Sequence, residues 1–114
     1  MDPTTMFSTV KEAEYLLRQA QEHAMAGDHT TAINNLMKAI EKYPRYAEAW
    51  AMLGNCQGCI DKNDDALASY NKAIQLDPGH ADAWFNKGMI LKQKGRNTEA
   101  TRCIEMSMDL YCGR

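Results

Sequence analysis

Residues 47–80 read AEAWAMLGNCQGCIDKNDDALASYNKAIQLDPGH, and the same spacing of small, aromatic and aliphatic residues returns on both sides of this stretch. The preceding copy covers residues 13–46 (repeat 1), the quoted copy is repeat 2, and residues 81–114 form repeat 3. A fixed period of this kind is the sequence signature of stacked structural repeats. Residues 1–12 lie outside the three copies and are interpreted as an N-terminal extension with the start of the first helix.

Small residues recur at two places of every copy. They are Ala20, Gly54 and Gly88 at the eighth place, and Ala32, Ala66 and Ala100 at the twentieth. Two helix backbones approach closely only where the side chains are small, so these places predict where the two helices of each repeat cross. Large apolar residues fill the space around each crossing; they are Leu16, Trp50 and Trp84 at the fourth place, and Leu36, Tyr70 and Ile104 at the twenty-fourth.

This spacing resembles the tetratricopeptide repeat, a helix-turn-helix unit with the pattern W-x2-L-G-x2-Y, then A-x3-F, A and P. Repeat 2 carries the pattern as Trp50, Leu53, Gly54, Ala66, Tyr70, Ala73 and Pro78. The resemblance implies an all-α fold, a right-handed superhelical α-solenoid of three repeats that form a single domain over residues 13–114. No strand is expected.

Local sequence predicts where the helices begin and end. Thr9 and Glu12 predict a capping box that opens the first helix, and Gly27 predicts its end. Helices cannot continue into Pro44 and Pro78, because the residue before a proline is pushed out of helical geometry. Short polar residues are the predicted N-caps of the second helices: Asp28, Thr30, Asn63, Asp64, Asn97 and Thr98. The six predicted helices run over roughly 10–25, 29–42, 47–60, 64–76, 81–94 and 98–111.

Composition excludes several classes of partner. The chain has 114 residues and a net charge of −2, so it has no basic field that would favour nucleic acid. Its N-terminus lacks a basic region followed by an apolar segment, and no apolar run is long enough for a membrane span. The four unevenly spaced cysteines suit a reducing compartment better than a disulfide framework. We therefore predict a cytoplasmic protein with no nucleic-acid or membrane partner.

The resemblance implies that the first helix of each repeat lines a concave groove that binds a protein or peptide. The residues predicted to bind there are Leu17, Arg18, Gln21, Met25, Met52, Asn55, Cys59, Phe85, Asn86, Met89, Lys92 and Gln93. Unbranched methionines repack around partners of different shape, which suits an extended peptide or an amphipathic helix. The acidic residues Glu14, Glu48 and Asp82 mark one edge. The alternative is that the methionines serve packing between helices.

Some tetratricopeptide domains hold the C-terminal carboxylate of a chaperone tail with a clamp of lysine, arginine and asparagine at five places. The corresponding residues are Leu17, Gln21, Met52, Asp82 and Asn86, and none is the one that the clamp requires. A carboxylate gains little in a groove without cations. Binding of a chaperone tail is therefore not predicted.

The sequence contains little evidence for a catalytic site or a metal site. Cys56 and Cys59 have metal-like or redox spacing, but they lie within a predicted helix and no second pair follows at zinc-site spacing. Glycine-rich phosphate loops, nucleophile elbows and paired acids in apolar surroundings are absent from the sequence. We predict no enzyme activity, no cofactor and no metal.

The last predicted helix keeps more apolar side chains than it can bury against one neighbour. Those predicted to form a self-association patch are Ile104, Met108, Leu110 and Tyr111. Exposed apolar patches usually mark interfaces, and helical-repeat stacks normally end in a helix with a polar outer face. The chain is therefore expected to form a homodimer through this helix or to belong to a longer array, unless the helix frays or folds over its own patch.

These observations favour a non-catalytic adaptor or scaffold that binds a peptide or helix in a Met-rich groove. The alternative is a structural self-assembly unit that dimerises through repeat 3. Sequence alone identifies neither the partner nor the pathway.

Overall fold

The computed structural model describes residues 3–113, and these form six α-helices without a strand. The helices are α1 (Pro3–Met25), α2 (His29–Lys42), α3 (Ala47–Cys59), α4 (Asn63–Leu76), α5 (Ala81–Gln93) and α6 (Asn97–Cys112). Each odd-numbered helix pairs with the helix that follows it, and each pair packs on the next. The predicted all-α stack of helix pairs is confirmed, while the hand of its superhelix stays a prediction.

Several predicted helix ends are confirmed. Gly27 follows α1 with φ of +85°, a left-handed conformation that glycine adopts without steric cost. The Asp28 side chain accepts a hydrogen bond from the Thr31 backbone N–H at 3.1 Å and so caps α2. This bond lowers the pKa of Asp28. The helices α2 and α4 end at Lys42 and Leu76, and their C-cap residues Tyr43 and Asp77 immediately precede Pro44 and Pro78.

The predicted start of α1 is wrong. The helix begins at Pro3, and proline suits the first turn because it has no backbone N–H of its own that would lack a partner there. Thr9 lies inside the helix, and its hydroxyl donates to the Thr5 carbonyl at 2.9 Å instead of capping. Glu12 forms an ion pair with Lys42 at 3.0 Å. A threonine and a glutamate three residues apart thus match a capping box without forming one.

The predicted caps of α4 and α6 are also wrong. The N-cap residues are Lys62 and Arg96, and neither side chain caps the helix. Asp64 instead pairs with Lys94 at 2.8 Å, so its carboxylate links repeat 2 to repeat 3. Arg96 binds Glu99 through two hydrogen bonds of 2.9 and 2.7 Å.

Two buried clusters hold the stack together. The repeat 1–2 core consists of Leu17, Ala20, Ala32, Leu36, Ala49, Leu53 and Cys56. The repeat 2–3 core consists of Ala51, Ala66, Leu67, Tyr70, Ala73, Ala83, Ile90, Leu91, Ala100 and Cys103. Trp50 packs against both clusters, so the apolar interior is continuous from the first helix pair to the last.

Each tryptophan also forms a hydrogen bond across a repeat boundary. The Trp50 indole N–H donates to the Pro44 carbonyl at 3.0 Å, and the Trp84 indole N–H donates to the Pro78 carbonyl at 2.9 Å. In both cases the acceptor belongs to the turn that ends the preceding repeat. The fourth place of the pattern therefore joins one repeat to the turn before it, in addition to filling space around the helix crossing.

The small residues at the crossings are required by geometry. A Cβ atom added to Gly54 would lie 2.7 Å from the Tyr70 ring. One added to Gly88 would lie 2.8 Å from Ile104 Cγ1 and 3.1 Å from the Ala100 carbonyl oxygen. Repeat 1 has Ala20 at the same place, fully buried in the cluster that also contains Leu36. The prediction that small residues permit the crossing is confirmed.

Candidate binding groove and the exposed end of the stack

The first helices of the repeats line two adjoining hollows. The repeat 1–2 hollow encloses about 550 Å³, and its walls include Gln21, Ala24, Met25, Met52 and Cys56. The repeat 2–3 hollow encloses about 310 Å³, and its walls include Gly58, Asn86, Met89, Ile90 and Gln93. Asn55 and Cys59 line both hollows, so the two hollows adjoin, and we call them together the groove.

The centre of this groove is a fixed amide. The Tyr70 hydroxyl donates to Asn55 Oδ1 at 2.6 Å, and Asn86 Nδ2 donates to the same oxygen at 3.0 Å. Burial raises the pKa of Tyr70, which keeps its hydroxyl protonated as a donor. Asn55 is exposed, and no acceptor within residues 3–113 bonds its Nδ2 group, which is therefore available to donate to a bound molecule.

Most of the predicted groove residues come together. Gln21, Met25, Met52, Asn55 and Cys59 line the repeat 1–2 hollow, and Asn86, Met89 and Gln93 line the repeat 2–3 hollow. Arg18 is exposed one turn before Gln21, on the same side of α1. The alternative role in packing applies in part to Met52, which contacts the repeat 1–2 core. Met25 and Met89 are exposed, with 90 % and 37 % of their surface accessible.

Leu17 was predicted to line the groove, and this prediction is wrong. Its side chain is only 8 % exposed and belongs to the repeat 1–2 core. The equivalent residue of repeat 2, Ala51, is 4 % exposed in the repeat 2–3 core. The fifth place therefore faces the next helix pair, and its residue is available to a partner only where no helix follows.

Repeat 3 exposes its version of this stacking surface. In repeats 1 and 2, the residues at five places contact the next helix pair; they are Leu17, Ala24, Ile33, Leu36 and Ile40, then Ala51, Gly58, Leu67, Tyr70 and Ile74. The same places of repeat 3 hold Phe85, Lys92, Thr101, Ile104 and Met108, which we call the end face. Within residues 3–113 no helix covers it, and Phe85 and Met108 are 39 % and 55 % exposed. Phe85 and Lys92, predicted groove residues, thus belong to this end of the stack.

The end face includes only part of the predicted self-association patch. Ile104 and Met108 lie on it. Leu110 is half-buried, because helical periodicity places it with Cys103 and Ser107 on the side that packs against α5. The Tyr111 ring is exposed, but its hydroxyl donates to Asp82 Oδ1 and ties the end of α6 to the start of α5.

Sequence reasoning missed Tyr70 as a groove residue and assigned it to the core alone. Its ring is 3 % exposed, yet its hydroxyl reaches the groove and orients Asn55. The signal available in the sequence was the combination of a tyrosine at the twenty-fourth place with an asparagine at the ninth place of the same repeat. Repeats 1 and 3 lack this combination, since they have Leu36 and Ile104 at the twenty-fourth place.

The acidic edge is partly engaged within the protein. Glu48 Oε2 lies 2.9 Å from His80 Nε2, while His80 Nδ1 accepts from the Ala83 backbone N–H at 3.1 Å. Asp82 accepts from Tyr111, and Glu14 is exposed on α1. No lysine or arginine of the described residues lines either hollow. His29 is the one ionisable nitrogen base among the described residues that line these two hollows, and acids lie along one edge of the groove.

The cysteines are unpaired thiols. Cys56 and Cys103 are buried, and burial raises the pKa of both. Cys59 and Cys112 are exposed. Within residues 3–113 there is no group of three or more His, Cys, Asp or Glu side chains arranged to hold a metal ion. Nor does that part of the chain contain a helix that is long and apolar enough to cross a membrane.

Stacked helix pairs with a groove along their first helices define a helical-repeat protein of the α-solenoid class. Three family models, each described as a tetratricopeptide repeat, match residues 17–57, 47–80 and 69–102. The chain belongs to the tetratricopeptide repeat family.

Curated relatives share this repeat region. An uncharacterized protein of Methanocaldococcus jannaschii is 42 % identical over 65 residues, which cover 57 % of this chain and 71 % of that protein. The UDP-N-acetylglucosamine–peptide N-acetylglucosaminyltransferase of Giardia intestinalis is 32 % identical over 84 residues. The peroxisomal targeting signal receptor of Yarrowia lipolytica is 33 % identical over 67 residues. These matches cover 70 % and 59 % of this chain but only 6 % and 11 % of those two relatives.

Solved structures confirm the fold. The second tetratricopeptide domain of Spaghetti (RPAP3), bound to the HSP90 peptide SRMEEVD, superposes with a TM-score of 0.89 at 20 % identity. That match covers 92 % of this chain and 96 % of the other. A crystal structure of MamA matches with a TM-score of 0.84 at 26 % identity, over 90 % of this chain and 60 % of MamA.

Proposed function

We propose that this protein is a non-catalytic interaction module that binds an extended peptide in the groove centred on Asn55. The observation that carries the proposal is the exposed Asn55 amide, whose oxygen is held by Tyr70 and Asn86 while its Nδ2 donor has no partner among the described residues. Backbone carbonyls of an extended segment need such donors, whereas a helix already satisfies its own backbone groups internally. The tetratricopeptide structure with a bound HSP90 peptide supports peptide recognition by this fold.

The ligand is expected to differ from an acidic chaperone tail. The five clamp places hold Leu17, Gln21, Met52, Asp82 and Asn86, and Leu17 is buried in addition. A terminal carboxylate would lack the charge-assisted hydrogen bonds that make such contacts strong. The peptide SRMEEVD is therefore a suitable negative control for binding.

The location of the protein in the cytoplasm stays a prediction from the sequence.

The proposal is tested by selecting peptides from a display library on the full chain and locating them with a thiol probe. Cys59 lines both hollows and is exposed, so a bound peptide should slow its alkylation. A Cys112→Ser background removes the other exposed thiol. We expect at least several-fold protection of Cys59 at saturating peptide. Selected peptides that bind but leave Cys59 fully reactive would contradict the groove as the site.

A second candidate function is self-association through the end face, because the two ends of the stack differ in polarity. Where α3 packs on repeat 1, it presents Ala49, Leu53 and Cys56, all buried. The same places of α1 hold Tyr15, Gln19 and Glu22, whose polar groups are compatible with exposure to solvent. The apolar residues of the end face, Phe85, Ile104 and Met108, gain more from contact with the same residues of a second copy than from this more polar surface. We therefore favour a two-fold dimer of end faces over a head-to-tail chain.

Replacing both Phe85 and Met108 with lysine is expected to convert such a dimer into monomers, because four added charges would meet at the two-fold interface. Light scattering across a range of concentrations should give a mass near twice 12.9 kDa for the wild type and near 12.9 kDa for the variant. Tyr15→Lys, at the opposite end, is the matched control and should leave the dimer intact. A wild type that is monomeric at every concentration would remove this candidate.

A further inference from the structure

The repeat 1–2 hollow differs from the repeat 2–3 hollow in size and chemistry. At the tenth place the first contains Cys56, whereas the second contains the larger Ile90. The smaller side chain leaves more room, in keeping with volumes of about 550 and 310 Å³. Ala24, Met25, Met52 and Cys59 make the walls of the first hollow largely apolar, and Gln21, His29 and Asn55 are their polar members. The second hollow contains the amides of Asn86 and Gln93 and the hydroxyl-bearing Tyr70.

We propose that the repeat 1–2 hollow anchors one bulky apolar side chain, aromatic or leucine, of an extended and positively charged peptide. This inference rests on the proposed function and adds the chemistry of the ligand. Because Asn55 lines both hollows, a side chain anchored in the first places the adjoining peptide backbone beside the fixed amide. Flexible methionine walls can close around either an aromatic or a branched aliphatic group.

The charge of the ligand follows from the residues that flank the hollows. The groove side of the three first helices carries places two, six, nine and thirteen of each repeat. These residues are Glu14, Arg18, Gln21 and Met25, then Glu48, Met52, Asn55 and Cys59, then Asp82, Asn86, Met89 and Gln93. Three acids against one arginine give this surface a net charge of −2, and charge complementarity favours lysine or arginine beside the anchor.

The test uses fluorescein-labelled peptides Lys-Ser-X-Ser-Ser-Lys, amidated at the C-terminus, with X as Phe, Leu, Ser or Asp. Fluorescence polarisation should show Phe and Leu binding at least tenfold more tightly than Ser or Asp, as expected for burial of one large apolar side chain. Replacing both flanking lysines with glutamate should weaken binding of the Phe peptide. Equal affinity for all four X residues would overturn the inference.

A pair of variants locates the anchor. Gln21 is exposed on the wall of the hollow, so Gln21→Trp should fill the hollow and abolish the preference for Phe and Leu. Glu22, the next residue, is exposed and lies outside the described walls, so Glu22→Trp should retain the preference. Asn86→Ala should weaken all peptides by a similar factor, because it loosens Asn55 without changing the hollow.

The outcomes separate this inference from the proposed function. If Gln21→Trp leaves the preference unchanged while Asn86→Ala weakens binding, the anchor is overturned and peptide binding in the groove stands. Library peptides that protect Cys59 but contain no bulky apolar residue would lead to the same conclusion. If neither the panel nor any library peptide binds the wild type, both proposals fail.

Discussion

Replacing Gly54 with alanine is expected to lower the free energy of unfolding by about 1–2 kcal/mol, although alanine is the better helix former by about 1 kcal/mol. The added methyl group would lie 2.7 Å from Tyr70 Cε1 and 2.8 Å from Cδ1. Tyr70 is 3 % exposed, and its hydroxyl is bonded to Asn55, so the ring has little room to move. The cost of overpacking therefore exceeds the gain in helix propensity.

Gly58, one turn later in the same helix, is the matched control. A Cβ atom there would meet only Ile90 Cδ1, at 3.4 Å, which is close to ordinary contact. Gly58→Ala should therefore raise the free energy of unfolding by up to about 1 kcal/mol. Urea denaturation followed by circular dichroism measures both changes. If both substitutions changed the free energy of unfolding in the same direction, contact with Tyr70 would not be the reason for a glycine at residue 54.

Replacing both Met52 and Met89 with glutamate is expected to reduce the affinity for groove-binding peptides at least tenfold. A bound peptide would remove the new carboxylates from water, and burying an unpaired charge costs several kcal/mol. Attraction between these carboxylates and a cationic peptide would recover only about 0–1 kcal/mol per pair near the surface. Desolvation therefore outweighs the added charge complementarity. Fluorescence polarisation with a selected peptide measures the change.

Two other methionines provide the control for this variant. Met37 and Met106 are 58 % and 43 % exposed and lie outside both hollows. Replacing this pair with glutamate adds the same charge and should leave peptide affinity nearly unchanged. Both double variants should retain wild-type helicity and mass. Equal affinity of the Met52 and Met89 variant and the wild type would exclude the groove as the binding surface.

Much of the architecture could be predicted because it depends on spacing within one repeat. Ala20, Gly54 and Gly88 mark helix crossings by their size alone, and a proline ends a helix by its own geometry. The position of Leu17 could not be predicted in this way, since the fifth place is covered or open according to whether another helix follows. Nor could the start of α1, because Thr9 and Glu12 are equally compatible with a helix interior.

The centre of the groove depends on contacts that local pattern cannot supply. Tyr70 reaches Asn55 across 15 positions of the sequence, and Asn86 reaches it across 31. The spacing places all three residues on the correct helices. Which side-chain oxygen accepts, and which amide N–H group is left without an internal partner, depends on the distances between these side chains. These distances follow from packing in three dimensions.

The tryptophan hydrogen bonds at the repeat boundaries have a mechanical consequence. The indole N–H groups of Trp50 and Trp84 each donate a hydrogen bond of about 3 Å to a proline carbonyl in the turn that ends the preceding repeat. We expect that bending the stack open or closed at either boundary would stretch such a bond and displace the partly buried indole from its neighbours. We therefore expect the boundaries to resist bending, so that a ligand proposed for the groove would have to fit the curvature that the stack already has.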